Sequence, residues 1–133
     1  MNLQSGFNDW LEGVIPNQPP ENVRAYNFNI SETASEWIVE ILGSSEFDPN
    51  DSDWPCDEAW TCRPSCILLP MSEVGTDWQS AELYILELVR RFLQNAASDK
   101  ARLLRESEAV AVGFVGGDLA YVLPEPPTLN NHA

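Results

Sequence analysis

The sequence predicts an α+β domain: an antiparallel sheet of about four strands, arranged as two hairpins and covered by helices. Three observations lead there. Val23–Ile30 and Glu36–Leu42 each alternate with the period of a strand. A second pair of β-rich runs, Ala109–Val115 and Asp118–Leu123, flanks Gly116-Gly117. Between the two pairs, Asp77–Asn95 repeats its apolar residues at helical spacing.

Taken from the amino end, Phe7, Trp10, Leu11 and Val14 make a short amphipathic helix over Asn8–Val14, capped by Asn8 and stopped by Pro16. Pro16, Pro19 and Pro20 hold the next connection extended. In Val23–Ile30, Tyr26, Phe28 and Ile30 alternate with Ala25, Asn27 and Asn29, the pattern of a strand with one buried face. Trp37, Val39 and Ile41 form one face of the following strand and Ile38, Glu40 and Leu42 the other, with Ser31–Ser35 as the hairpin loop. Gly43 ends that strand, and Ser44–Ser65 reads as a long loop punctuated by Pro49, Pro55 and Pro64. Cys66–Leu69 is a brief strand that Pro70 ends or places on an edge.

The longest helix, Asp77–Asn95, carries Trp78, Ile85, Leu86, Val89, Phe92 and Leu93 on its apolar stripe, with Thr76 and Gln79 as a capping box. Ser98 opens a shorter helix over Asp99–Arg105. The glycine pair then makes a tight hairpin turn, since such turns need the positive φ that glycine adopts without steric cost. A chain of 133 residues with 44 % hydrophobic content suffices for one packed domain and not for two. Residues 1–123 are read as that domain and 124–133 as a flexible tail.

Charge is distributed unevenly. Of a net −14, nine carboxylates fall between Ala25 and Cys62 with no lysine or arginine among them. Five of the seven basic residues (Arg90, Arg91, Lys100, Arg102 and Arg105) cluster on the two later helices, and Glu87, Glu106 or the acidic loop are the expected partners of Arg90, Arg91 and Arg102. A balance this acidic argues against direct binding of nucleic acid or of an anionic membrane, because both depend on cationic side chains. The expected partner is a basic protein or a cation. Met1–Ile15 has neither a basic start nor an apolar run, no segment approaches the roughly 18 apolar residues of a membrane span, and three cysteines suit a reducing compartment, so a cytoplasmic protein is expected.

Chemistry-bearing motifs are sparse. A calcium loop counted from Asp48 would need glycine at its sixth place and glutamate at its twelfth, where Asp53 and Ala59 stand. Cys56, Cys62 and Cys66 are separated by five and three residues, unlike a zinc knuckle, and the only histidine is the distant His132. No nucleophile elbow, phosphate-binding glycine loop or zincin motif occurs, which points to a non-catalytic protein without cofactor or metal. The informative segment is the acidic loop, where Glu46, Asp48, Asp51, Asp53, Asp57 and Glu58 surround Trp54 and Trp60. Carboxylates attract a cationic partner over distance and rings supply contact area, so these eight residues are the candidate partner-binding set. Trp54 and Trp60 serve either as surface anchors or as tethers that fold the loop onto the sheet. Trp10, Trp37 and Trp78 are assigned to the core.

The succession of a W-L-E helix, N-V-R-A-Y-N-F-N-I, W-I-V-E-I-L-G-S-S-E-F-D-P-N-D-S-D-W-P-C-D-E, a long helix and A-V-A-V-G-F-V-G-G-D-L resembles small acidic bacterial cytosolic proteins associated with polymorphic toxin systems. The resemblance spans Phe7–Leu123 and implies an immunity protein, a non-catalytic inhibitor of a cognate, nuclease-like toxin domain. It assigns no site residues. The alternatives are an acidic nucleic-acid mimic that binds many basic proteins, and a metal-binding protein built on the cysteine cluster.

Overall fold

A computed structural model describes residues 2–114 and 117–124. The elements are α1 (Leu3–Val14), β1 (Ala25–Glu32), β2 (Glu36–Ser44), a single 3-10 turn at Trp54–Cys56, β3 (Glu58–Thr61), β4 (Ile67–Pro70), α2 (Met71–Val74), α3 (Trp78–Asn95), α4 (Asp99–Arg105), β5 (Ala109–Phe114) and β6 (Ala120–Leu123). The class is α+β, with one mixed sheet of six strands.

Both expected strand pairs are present, β1 with β2 and β5 with β6, each antiparallel, but β6 begins at Ala120 rather than Asp118, so the second connection is longer than the two-glycine turn expected. They join through a parallel β1–β5 pair, which the all-antiparallel expectation lacked. β2 is flanked twice on its outer side: its first half pairs with β4 and its last residues with β3. The four-residue β3 replaces part of the loop expected over Ser44–Ser65. So short a run, E-A-W-T between acids and a proline, has too few residues to express a period. Strand direction escapes the sequence for a different reason: alternation records which face is buried and says nothing of the neighbour's polarity.

One face of the sheet packs on the helices. Tyr26, Phe28 and Ile30 of β1, Trp37, Val39 and Ile41 of β2, and Val110 and Val112 of β5 meet Phe7 and Leu11 of α1 and Ala81, Ile85, Val89 and Phe92 of α3. The α3 residues recur at steps of four, four and three, so one stripe covers the sheet. Trp37 closes the end of this layer by donating its indole N–H to the Gly75 carbonyl at 2.7 Å. Gly75 has φ 119°, a conformation that favours glycine.

Helix starts differ from expectation. α1 begins at Leu3, because the Asn2 side chain accepts from the Ser5 amide; Asn8 lies inside the helix and accepts from Gln4. α3 is capped by Asp77, whose carboxylate accepts from Ser80 N at 3.0 Å, in place of a Thr76–Gln79 box. Ser98 caps α4 as its position suggests. Trp10 is only half-buried and donates to the Ser65 carbonyl at 2.7 Å. Trp78, at the first turn of α3, is 56 % exposed and does not belong to the core. Gly116 and the tail over 125–133 lie outside the described residues.

Burial of Tyr26, 2 % exposed, leads to a titration that can be read directly. Loss of solvent pushes its phenol up to about 12 from the ordinary 10.0. The folded pKa is raised, so the unfolded chain ionises first; the contribution to stability is intact below pH 10 and is lost between about 10 and about 12. An absorbance titration of phenolate should show one tyrosine ionising near pH 12, and a Tyr26→Phe variant should lose that step. A step already complete near pH 10 would contradict the burial.

Candidate partner-binding surface

The other face of the sheet is covered as well, and the acidic loop is what covers it. Small side chains at Ala25 of β1 and Ala109 and Ala111 of β5 leave a depression that receives the Trp54 indole, rimmed by Phe47, Leu119 and Tyr121. Trp54 is 1 % exposed, and its N–H donates to the Tyr121 hydroxyl at 2.9 Å. Phe47 meets its ring edge-on at 5.5 Å. Of the two roles open to Trp54, the geometry fits the tether: a sealed indole offers no area to a partner. Trp60 does not sit beside it. It pairs with Gly43 across β2–β3 and packs edge-on against Tyr26, half-buried on the helix-side layer.

The loop backbone is held at each step. Ser44, fully buried, donates its hydroxyl to the Trp54 carbonyl at 2.6 Å and accepts from Glu46 N at 3.1 Å. Asp48 accepts from the Asn50 amide and Asp51 from the Asp53 amide, both at 2.9 Å, which makes two successive Asx turns. Ser45 N donates to the Asp57 carbonyl and closes the loop at its base. These bonds use one oxygen of Asp48 and one of Asp51, leaving the carboxylates turned to solvent.

Glu46, Asp48, Asp51, Asp53, Asp57 and Glu58 are all exposed. Glu58 is matched from within: the Arg63 guanidinium lies 2.6 Å from it and 3.0 Å from Glu40. Among the described residues the other five have no ion pair. The basic residues on the helices are engaged elsewhere. Arg90 and Arg91 both pair with Glu87, Arg102 lies 3.9 Å from Asp99 rather than near Glu106, and Arg105 donates to the Leu93 and Ala96 carbonyls that end α3. Lys100 bonds the Glu12 carbonyl and Arg24 pairs with Glu108. The acidic loop is therefore not neutralised by the helix bases.

Of the cysteines, Cys56 is exposed on the loop while Cys62 is buried, its sulfur accepting from Ile41 N at 3.3 Å. Burial pushes the Cys62 thiol up to about 11, away from the thiolate that zinc ligation requires. Among the described residues no group of three or more His, Cys, Asp and Glu side chains is arranged to hold a metal ion.

Two hollows share Phe114 and Gly117 in their lining, and of the two only the smaller is bounded by the loop. The smaller, of about 190 Å³, lies between the loop and the sheet, with Asn27 and Asn29 on one side and Asp53, Cys56 and Glu58 on the other. The larger, of about 620 Å³, is bounded by Trp78, Phe114, Glu32, Glu82 and Asp118. Trp78 meets Phe114 edge-on at 6.1 Å, and Phe114 meets the buried Trp37 at 5.6 Å, so the exposed indole is braced from the core. Burial, and then repulsion from Asp118, raises the Glu82 carboxyl above its ordinary value.

None of Trp78, Glu82, Asp118 or Asn27 stood out in the sequence as a site residue. Trp78 and Glu82, four apart, share a helix face, but the apolar stripe absorbed Trp78 into the core. Nothing local marks Asn27. No helix among the described residues is long and apolar enough to cross a membrane. Comparison of the chain with protein-family models, curated proteins and solved structures finds no match.

Proposed function

We propose that this chain is a non-catalytic acidic binding protein that docks on a basic protein, in the manner of an immunity protein neutralising a cognate nuclease-like toxin in the cytoplasm. One observation carries the reading: five exposed carboxylates, Glu46, Asp48, Asp51, Asp53 and Asp57, stand on a loop fixed by internal bonds and have no ion pair among the described residues. Holding like charges together opposes folding by self-repulsion, and a cationic surface relieves that repulsion. A fixed loop also loses little conformational entropy when it is covered.

The aromatic component shifts with the geometry. Trp78, exposed and braced by Phe114, takes the anchoring role that Trp54 cannot fill. Glu32, Glu82 and Asp118 line the hollow beside it, at the start of α3, and add negative charge around the ring.

Salt-titrated capture with the whole chain as bait tests the proposal against its nearest rival. A cognate partner should appear as one basic protein, the product of an adjacent gene, retained at high salt because apolar contact at Trp78 supplements charge. A nucleic-acid mimic would instead capture many basic proteins and release them together as salt rises. Failure to hold any basic protein at low salt would remove both readings.

A further inference from the structure

The hollow at the start of α3 combines an open ring with three carboxylates. Of the aromatic side chains described, Trp78 alone is more than half exposed. A single exposed apolar side chain is ordinary on a protein surface, but this one is held in place. Asp77 caps the helix turn that carries it, and Phe114 meets it edge-on at 6.1 Å while packing against the buried Trp37. A ring fixed before it is covered loses little conformational entropy on contact. Among aromatic side chains, indole attracts a cation best.

The carboxylates reach the hollow from separate parts of the chain. Glu82 follows Trp78 by four residues on the same face of α3, Glu32 ends β1, and Asp118 precedes β6. Asp118 is fixed through its backbone. Gly117 N donates to the Phe114 carbonyl at 2.9 Å, and the Asp118 carbonyl lies so near Gly113 that a Cβ there would approach it to 2.8 Å. No described lysine or arginine lines the hollow, and none of the three carboxylates has an ion pair among the described residues. Partial burial and repulsion from Asp118 make Glu82 harder to ionise, and a cation beside it relieves that cost. An indole next to two carboxylates favours a planar cation: a guanidinium stacks on the ring and divides its N–H donors between two acceptors, whereas an ammonium is a strongly hydrated point charge. From this meeting of the open Trp78 ring with Glu82 and Asp118, we propose that the hollow of about 620 Å³ receives one arginine side chain of the basic partner. The proposal rests on the docking function above and names the part of the surface that would give it specificity beyond charge.

The test uses three small probes on the full chain: the N-acetyl amides of arginine, lysine and citrulline, the last keeping N–H donors without the charge. Binding is followed by the indole N–H resonance of Trp78 and the backbone amides of Glu82 and Asp118, with the indole N–H of the buried Trp54 as a reference that should stay fixed. The arginine probe should shift the three signals saturably, about fivefold more tightly than lysine and about tenfold more tightly than citrulline. Trp78→Leu, a change at an exposed position that leaves the fold intact, should weaken it about fivefold, and Glu82→Gln severalfold. Glu106→Gln, the same loss of charge at the end of α4, should leave it unchanged. Equal affinity for lysine and arginine, no response at Trp78, or equal weakening by Glu82→Gln and Glu106→Gln, the signature of diffuse charge alone, would overturn the site. If a Trp78→Leu, Glu82→Gln variant holds a captured basic protein undiminished, the partner arginine is ruled out as occupant while the docking function stands. If the arginine probe binds as described but no basic protein is held at low salt, the docking function fails and with it the partner arginine.

Discussion

Trp54→Ala is expected to destabilise the protein by about 3–5 kcal/mol, the range for removing a fully buried large aromatic side chain. The indole fills the depression over Ala25, Ala109 and Ala111, and its loss also strands the Tyr121 hydroxyl that accepts from it. Urea denaturation should show a lower midpoint with little change in slope. Because this ring fastens the loop, limited digestion at acidic residues should cut the variant within 46–53 sooner than the parent. The comparison that separates tether from anchor is Trp78→Ala. That ring is more than half exposed, so its removal should change stability far less and should act mainly on partner binding. A Trp54→Ala protein as stable as its parent, and impaired only in binding, would show that the indole faces outward in solution.

Removing charge from the loop while keeping its shape should slow association. In the triple variant Asp48→Asn, Asp51→Asn, Asp53→Asn, the amide oxygens can still accept from Asn50 N and Asp53 N, so the Asx turns survive. Three negative charges disappear. Association with the captured basic partner, measured by stopped flow or surface immobilisation, should slow on the order of tenfold at low ionic strength, with a smaller change in dissociation. Near 1 M salt, where the screening length is about 3 Å, parent and variant should associate alike. Folding stability should hold steady or rise slightly as self-repulsion falls. Equal rates at low salt would mean that the loop carboxylates do not face the partner.

Local pattern was enough for several elements and insufficient at their junctions. Alternation in Tyr26–Ile30 and Trp37–Ile41 identified two strands and the residues that face the helices, since period-two burial depends only on the chain's own geometry. The spacing of Ile85, Val89 and Phe92 identified the long helix and its buried stripe for the same reason. The stripe misled at its first turn: Trp78 has the right spacing, yet lies beside Phe114 at the end of β5, where the sheet no longer covers it. Capping differs at Thr76 as well: the helix starts one residue later, with Asp77 accepting from Ser80 N.

The acidic loop divides along the same line. That carboxylates concentrate between Glu46 and Glu58, with Trp54 among them and Trp60 just beyond, follows from residue order alone. Which ring turns inward depends on alanines in two strands far apart in the chain, and those strands lie side by side only through the parallel β1–β5 pair. Asn27 is the sharper example: an ordinary polar residue on an alternating strand becomes a buried acceptor because a loop about 25 residues later in the chain folds across it.

By itself the sequence determined the α+β class, both hairpins, the helix stripe and the concentration of negative charge, each a property of neighbours a few residues apart. The tertiary structure alone decided the parallel join, the inward Trp54, the outward Trp78, the Arg63 bridge to Glu40 and Glu58, and the burial of Asn27. These depend on contacts between distant segments, which packing selects and local periodicity does not encode.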